Sequence, residues 1–177
     1  MASQPQAETQ AKYVIVGAGI HGLSTAWHLA QPAQGQRPGR WQRCPRAATR
    51  PASDAGASGV ACGVVRNNYF QPAMRELMAH SVGVWESDPE AFAYHGVGYL
   101  QIAPEAMRAD VVQIAAEQKA IGYDSVLIEG VDECRAYLLD MFSDWQAPGI
   151  SVVLHEKRGG YANNTASLRG LAAKARS

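Results

Sequence analysis

Six residues near the start of the chain, Gly17-Ala18-Gly19-Ile20-His21-Gly22, constrain its fold more than any other feature. Before them runs a short unbroken apolar stretch, Tyr13-Val14-Ile15-Val16; after them Leu23, Trp27 and Ala30 continue from Ile20 at spacings of three and four. An apolar run without alternation is the pattern of a parallel strand covered on both faces. Spacings of three and four mark one face of a helix, and Pro32 stops it. A strand, a glycine turn and a helix in that order form the phosphate-binding turn of a Rossmann-type unit. Each glycine has its own reason: Gly17 permits the tight turn, Gly19 lets a pyrophosphate approach the backbone, and Gly22 lets the helix pack closely. The helix N-terminus offers N–H groups and a partial positive charge to phosphates, so no charged side chain is needed. Gly17, Gly19, Ile20, His21 and Gly22 are therefore the expected phosphate-side residues. His21 contributes only its backbone, with its ring facing solvent.

Composition narrows the remaining classes. Sixteen basic residues balance sixteen acidic ones, which argues against a bulk electrostatic nucleic-acid binder or a membrane-surface protein. The most apolar stretch, Tyr13 to Ala30, holds three glycines and two histidines and is no membrane span. Residues 1–10 are polar, without the apolar core of a secretory signal. Cys44, Cys62 and Cys134 have no CxxC spacing, so neither a zinc site nor a disulfide framework follows, and a reducing, cytoplasmic setting is expected. His80, His95 and His155 lack the sequence neighbours of a metal site, and no metal is expected.

Gln31 to Asp54 reads differently. These residues hold four of the nine prolines and five of the twelve arginines, with Asp54 as the single acid. A dinucleotide-binding unit should place here a second strand ending in Asp or Glu, which holds the ribose. Asp54 comes too late to end such a strand, and the stretch has no apolar run for one. It is either an exposed basic loop or the product of GC-rich DNA translated partly out of frame.

Beyond it the pattern is regular. Gly59 to Val65 is apolar. Pro72 opens a helix whose expected face is Met74, Leu77, Met78, Val82 and Trp85. Val97 to Ile102 alternates as a strand. A helix from Pro104 turns Met107, Val111, Ile114 and Ile121 inward and stops at Gly122. Ser125 to Ile128 is a short strand. Asp132 to Trp145 reads as a helix with Tyr137, Leu138, Met141, Phe142 and Trp145 on one stripe. Ile150 to His155 is a strand, Gly159-Gly160 a turn, and Asn164 or Thr165 caps a last helix facing inward through Leu168, Leu171 and Ala172.

The glycine turn, together with Asp54-Ala55-Gly56-Ala57-Ser58-Gly59, resembles the D-amino-acid-oxidase-like family of FAD-dependent oxidoreductases. Glycine, sarcosine and dimethylglycine oxidases and dehydrogenases belong to it. In that family a Gly-Ala-Ser-Gly segment wraps the flavin's phosphate and ribitol, and Ala57, Ser58 and Gly59 match it. Arg66-Asn67-Asn68-Tyr69 resembles the segment leading away from the flavin. Val97-Gly98-Tyr99-Leu100 resembles the first strand of the substrate domain, and Gly159-Gly160-Tyr161 the crossover back to the FAD domain. The family is much longer, so the chain reads as an N-terminal portion of about half.

The resemblance implies an α/β chain: a Rossmann-type FAD-binding βα unit, then the start of an α+β substrate domain, incomplete. Residues 1–90 would bind FAD, with 31–54 irregular; 91–158 would be a partial substrate domain and 159–177 the return segment. The implied activity is oxidation of the C–N bond of an amine or amino acid, such as a glycine derivative or a D-amino acid. The implied partner is that small amine. A neutral amine would pass a hydride equivalent to the flavin, and water would hydrolyse the imine.

One rival is a truncated, non-catalytic remnant that binds no flavin. Another is a nicotinamide-binding Rossmann domain, which fits the glycines but leaves Ala57-Ser58-Gly59 unexplained. Several side chains stay open between two roles. Ser58 holds a cofactor phosphate or closes a local turn, and the family match favours the phosphate. Arg66 holds an anionic substrate or the flavin, or is a surface arginine. Cys62 is read as a small buried thiol rather than a covalent flavin link. Tyr99 and Tyr161 suit either a substrate-facing or a half-buried position. No catalytic residue is named.

Overall fold

The computed structural model describes residues 13–31 and 56–175. In chain order the elements are α1 (Ile20–Ala30), α2 (Ala57–Val60), β1 (Val64–Val65), α3 (Pro72–Ser87), α4 (Pro89–Phe92), β2 (Tyr94–His95) and β3 (Tyr99–Ala103). A 3-10 turn (Glu105–Met107) leads into α5 (Arg108–Ala120), followed by β4 (Ser125–Glu129), α6 (Val131–Met141), β5 (Val152–Glu156), β6 (Gly160–Ala162) and α7 (Asn164–Lys174). Two compact units result, one from residues 1–61 and 164–177, the other from residues 62–163.

In the larger unit an antiparallel sheet of order β3-β5-β4 lies between two helices. The period-two alternation of strand side chains sorts them onto its two faces. Ala103, Val152 and Leu154 pack against Val111, Ile114 and Ala115 of α5. Val153, between two of them in sequence, points the other way, onto Cys134 and Leu138 of α6. Val152, Val153 and Leu154 are fully buried, each burial contributing about 1.5–3 kcal/mol before entropy is set against it. A second antiparallel sheet, β1-β6-β2, pairs Val64 with Tyr161 and Tyr161 with His95. Gly160 sits at φ 150°, and a Cβ there would overlap the carbonyl oxygen of His95.

The smaller unit is helical among the described residues. Helix α7 packs on α1 and α2, with Leu168, Leu171 and Ala172 buried as their spacing predicts. Lys174 places its ammonium 5.6 Å from the Trp27 ring centroid.

Several expectations are corrected. Tyr13 to Val16 forms no strand: residues 13–18 enter no ladder, and Val14 and Val16 are 75% and 95% exposed. A parallel strand needs a hydrogen-bonded neighbour, and no described residue of this unit forms one. On α3 the inward face is turned relative to the apolar pattern. Leu77 is 54% exposed, whereas Arg75 is buried beside Val82, because its guanidinium finds a carboxylate and a carbonyl inside. Met107 and Ile121 sit at the two ends of the α5 region and are exposed, unlike Val111 and Ile114 in the middle.

Helix α6 ends at Met141 rather than Trp145. Phe142 turns extended and is 44% exposed, and Trp145 returns through a turn to pack on the α6 cluster. Asn164 is the first helical residue of α7 rather than its cap, and its side-chain amide donates to the carbonyl of Ala61. Cys62 is exposed, not a buried thiol. The expected second strand, Asp54 and Cys44 lie outside the described residues.

Candidate functional site

The glycine turn lies in the smaller unit and runs directly into α1. Gly17 takes φ 115°, a value that side chains disfavour. A Cβ on Gly22 would overlap the carbonyl oxygen of Gly17, so the helix's first turn folds back against the glycine turn as only glycine allows. Gly19 is the N-cap, extended at φ −81° and ψ −171°, with no side-chain cap and no acid in the first turn. The N–H groups of this turn therefore have no intrahelical carbonyl to bond. Here a phosphate's oxygens would find donors and the positive end of the helix dipole.

The second motif arrives at the same place. Ser58 in α2 accepts a hydrogen bond through Oγ from the backbone N–H of Ile20, at 3.3 Å, across 38 residues of sequence. A Cβ on Gly19 would stand 3.1 Å from that Oγ. Ser58 thus closes no local turn; it faces the N-terminus of α1, while Ala57 and Gly59 flank it in α2. The structure brings Gly19, Ile20 and Ser58 together. His21 has its side chain exposed.

The donor set fits the diphosphate of FAD. It consists of backbone N–H groups at a helix start, a hydroxyl, and a bare Gly19 where a Cβ would crowd that hydroxyl. Gly17, Gly19, Ile20, His21, Gly22, Ala57, Ser58 and Gly59 are the residues that would hold that end.

A separate polar cluster occupies the larger unit. Arg66 is half-buried: its Nη1 donates to the Tyr99 hydroxyl at 2.5 Å, and its guanidinium lies 5.4 Å and 5.1 Å from the Tyr69 and Tyr99 ring centroids. It is no isolated surface arginine, and Tyr99 is half-buried beside it. Tyr161 is exposed and stacks on the His95 ring at 4.7 Å.

Next to Arg66, Asn67 points inward and is fully buried. Its backbone N–H donates to Glu156 Oε2 at 2.8 Å, its amide donates to the Arg75 carbonyl at 2.5 Å, and Gln118 Nε2 donates to Glu156 Oε1 at 2.7 Å. Arg75 in turn donates to the Tyr69 carbonyl and pairs with Glu117. Burial pushes the Glu156 carboxyl above its ordinary value, opposed by the Asn67 and Gln118 hydrogen bonds and the Arg66 charge. Residues 66–69 are thereby clamped from α3, α5 and β5. Sequence reasoning missed this network; its signal was a run of polar residues, Arg66-Asn67-Asn68, directly after an apolar one.

His155 accepts or donates at 2.8 Å with the Tyr137 hydroxyl, and burial followed by the Lys157 charge pushes its pKa down. Among the described residues no group of three or more His, Cys, Asp or Glu could hold a metal ion. No described helix is long and apolar enough to cross a membrane.

Comparison with known proteins defines the class: the chain belongs to the FAD dependent oxidoreductase family (DAO), which it matches over residues 12–177. Among particular relatives, L-saccharopine oxidase of Schizosaccharomyces pombe is 31% identical over 169 residues, covering 92% of this chain and 38% of that protein. Of solved structures, L-proline dehydrogenase from P. horikoshii superimposes with TM-score 0.70 at 17% identity, over 92% of this chain and 41% of the other. Glycine oxidase from Bacillus cereus gives TM-score 0.59 at 18% identity, over 90% and 42%. The structural likenesses speak for the fold, which is the mixed helix-and-strand fold of these FAD enzymes. The chain spans about two-fifths of its relatives' length, less than the half expected.

Proposed function

We propose that the chain is the cofactor-proximal portion of an FAD-dependent oxidoreductase acting on the C–N bond of an amine or amino acid, working in a reducing, cytoplasmic setting. The single observation that carries this reading is the meeting of Ser58 Oγ with the Ile20 N–H at the glycine turn. Two motifs far apart in sequence converge where a diphosphate would lie. Residues 1–90 would form the FAD-binding part, 91–158 a partial substrate domain and 159–177 the return segment.

Gly17 makes the turn, Gly19 leaves the backbone open to the diphosphate and Gly22 lets α1 pack back on the turn; His21 and Ile20 lend N–H groups, that of Ile20 shared with Ser58; Ala57, Ser58 and Gly59 close the other side. Bound FAD supplies the acceptor for the hydride equivalent lost by the amine. Arg66 offers an anionic substrate a cation held between two tyrosine rings.

The rival is a remnant that binds no flavin. The exposure of Val14 and Val16 favours it, since among the described residues no strand pairs with the segment before the glycine turn. An absorbance scan of the purified chain, before and after addition of FAD and gel filtration, decides between them. Retained flavin bands support the proposal. A colourless chain that takes up no FAD establishes the remnant, and selective NAD binding establishes a nicotinamide domain. Reading the coding DNA across residues 31–54 in the other two frames tests the frame hypothesis. The expected result is an apolar strand ending in Asp or Glu, and its absence from both frames refutes out-of-frame translation.

A further inference from the structure

On the sheet face that carries α6, three titratable side chains meet that the proposed chemistry does not use. Strand alternation turns His155 away from Glu156, and its neighbours in register are Leu100 of β3 and Val126 of β4. The Tyr137 hydroxyl of α6 lies 2.8 Å from His155 Nδ1, and Lys157 Nζ lies 3.1 Å from both atoms. Tyr137 and His155 are half-buried and Lys157 is exposed. The far edge of the imidazole rests on bare backbone, where a Cβ on Gly98 would stand 2.8 Å from Nε2.

Hydrogen-bond capacity decides what this triangle can hold. A neutral imidazole with its proton on Nε2 offers one lone pair at Nδ1. The hydroxyl then donates to Nδ1, and the ammonium donates to the hydroxyl oxygen. Protonation turns Nδ1 into a donor. The hydroxyl loses its acceptor, both nitrogens compete for the phenol oxygen, and two cations stand 3.1 Å apart. No carboxylate offsets them: among the described residues neither His155 nor Lys157 enters an ion pair. The chain entering β3 brings Gly98, β3 and β4 bring Leu100 and Val126, and none of these titrates. Tyr137 from α6 and Lys157 beyond β5 are the titratable groups at the ring. Glu156 is held on the opposite face by Asn67 and Gln118. Burial and then the Lys157 charge already keep the imidazole below its ordinary 6.5.

Helix α6 is held besides by the packing of Cys134 and Leu138 on Val153, and by Cys134 Sγ donating to the Ile128 carbonyl at 3.5 Å. We infer that Tyr137, His155 and Lys157 form an acid-released clasp, which fastens α6 to the sheet at neutral pH and opens when His155 gains a proton. Opening expels Lys157 into solvent and loosens α6, while α5 keeps its contacts on the other face. The sign follows from linkage: the undocked imidazole takes up its proton first, so the docked form loses stability as pH falls below 6.5.

Proton NMR and native-state hydrogen exchange on the full chain test this. The His155 ring signal, identified through the Tyr137 ring at 6.0 Å, should titrate with a midpoint below 6.5. Lys157→Met should raise that midpoint by about 0.5 or more. Corrected for intrinsic rates, the α6 amides should lose about threefold or more of their protection relative to α5 between pH 7 and pH 5. His155→Asn sets an uncharged amide near the Nδ1 position and should abolish the loss. A midpoint at or above 6.5, or one unmoved by Lys157→Met, overturns the clasp. So does α6 protection that is equal at the two pH values, or a loss that persists in His155→Asn. Should His155→Asn not fold, Lys157→Met decides through the midpoint and through a smaller loss of α6 protection than in the wild type.

Discussion

In the larger unit Val152, Val153 and Leu154 are wholly shielded from water, whereas in the smaller unit α1 buries none of its residues and Val14 and Val16 stand in solvent. The first gains its shape from strand pairing, with one central strand feeding cores on both faces. Among its described residues the second gains its shape from glycines whose backbone approaches leave no room for side chains, and from the packing of α7 on α1 and α2. Stability and the proposed diphosphate geometry are thus concentrated in different places. A part that must keep backbone N–H groups open to a ligand cannot also bury them.

Leu154→Ala should break this comparison first if it is wrong. It empties a fully buried site and is expected to cost about 2–5 kcal/mol in urea unfolding. Leu23→Ala on the half-covered α1 should cost less than half as much, and equal costs would mean that α1 is packed as tightly as the sheet.

Next comes Glu156→Gln, expected to destabilise by about 1–3 kcal/mol because two donors face the carboxylate and Gln offers one oxygen. The effect depends on pH. Since burial raises the carboxyl's folded pKa above its ordinary 4.5, the stability linked to its proton is fully present below that value. It is lost as pH rises through the folded pKa. The advantage of wild type over variant should therefore shrink from acid toward neutral pH in parallel denaturation series. A growing advantage would mean the carboxylate is stabilised as an ion.

Ser58→Ala removes the hydroxyl that accepts from Ile20, at an expected cost of about 0.5–1.5 kcal/mol. It should also loosen FAD retention in equilibrium dialysis; unchanged retention would remove Ser58 from the proposed phosphate site. Smallest of all, Val16→Thr should shift stability by no more than about 0.5 kcal/mol. A larger loss would show that this residue is covered in solution.

The sequence was most readable where local period and tertiary role coincide. Val111 and Ile114 in α5, Leu138 in α6, and Leu168 and Leu171 in α7 lie inward as their spacing implies. It was least readable where a distant partner decides. Strands β1 and β2 are two residues each and exist through their pairing with β6, far along the chain from β1; nothing local announces them. Arg75 is buried against the rule for charged residues because Glu117 and the Tyr69 carbonyl receive it. The glycine turn could be read residue by residue, yet its meeting with Ser58 came only from family resemblance.

The assignment of residues 1–61 and 164–177 to one unit has a consequence for synthesis. Helix α1 leaves the ribosome long before α7, the helix that packs on it, has been translated. Residues 62–163 can acquire their sheet in the interval, since every strand partner lies within that span. A nascent chain stalled with α7 still in the exit tunnel should resist protease across the sheet and be cut near α1; protection of both stretches at that length would refute this order of events.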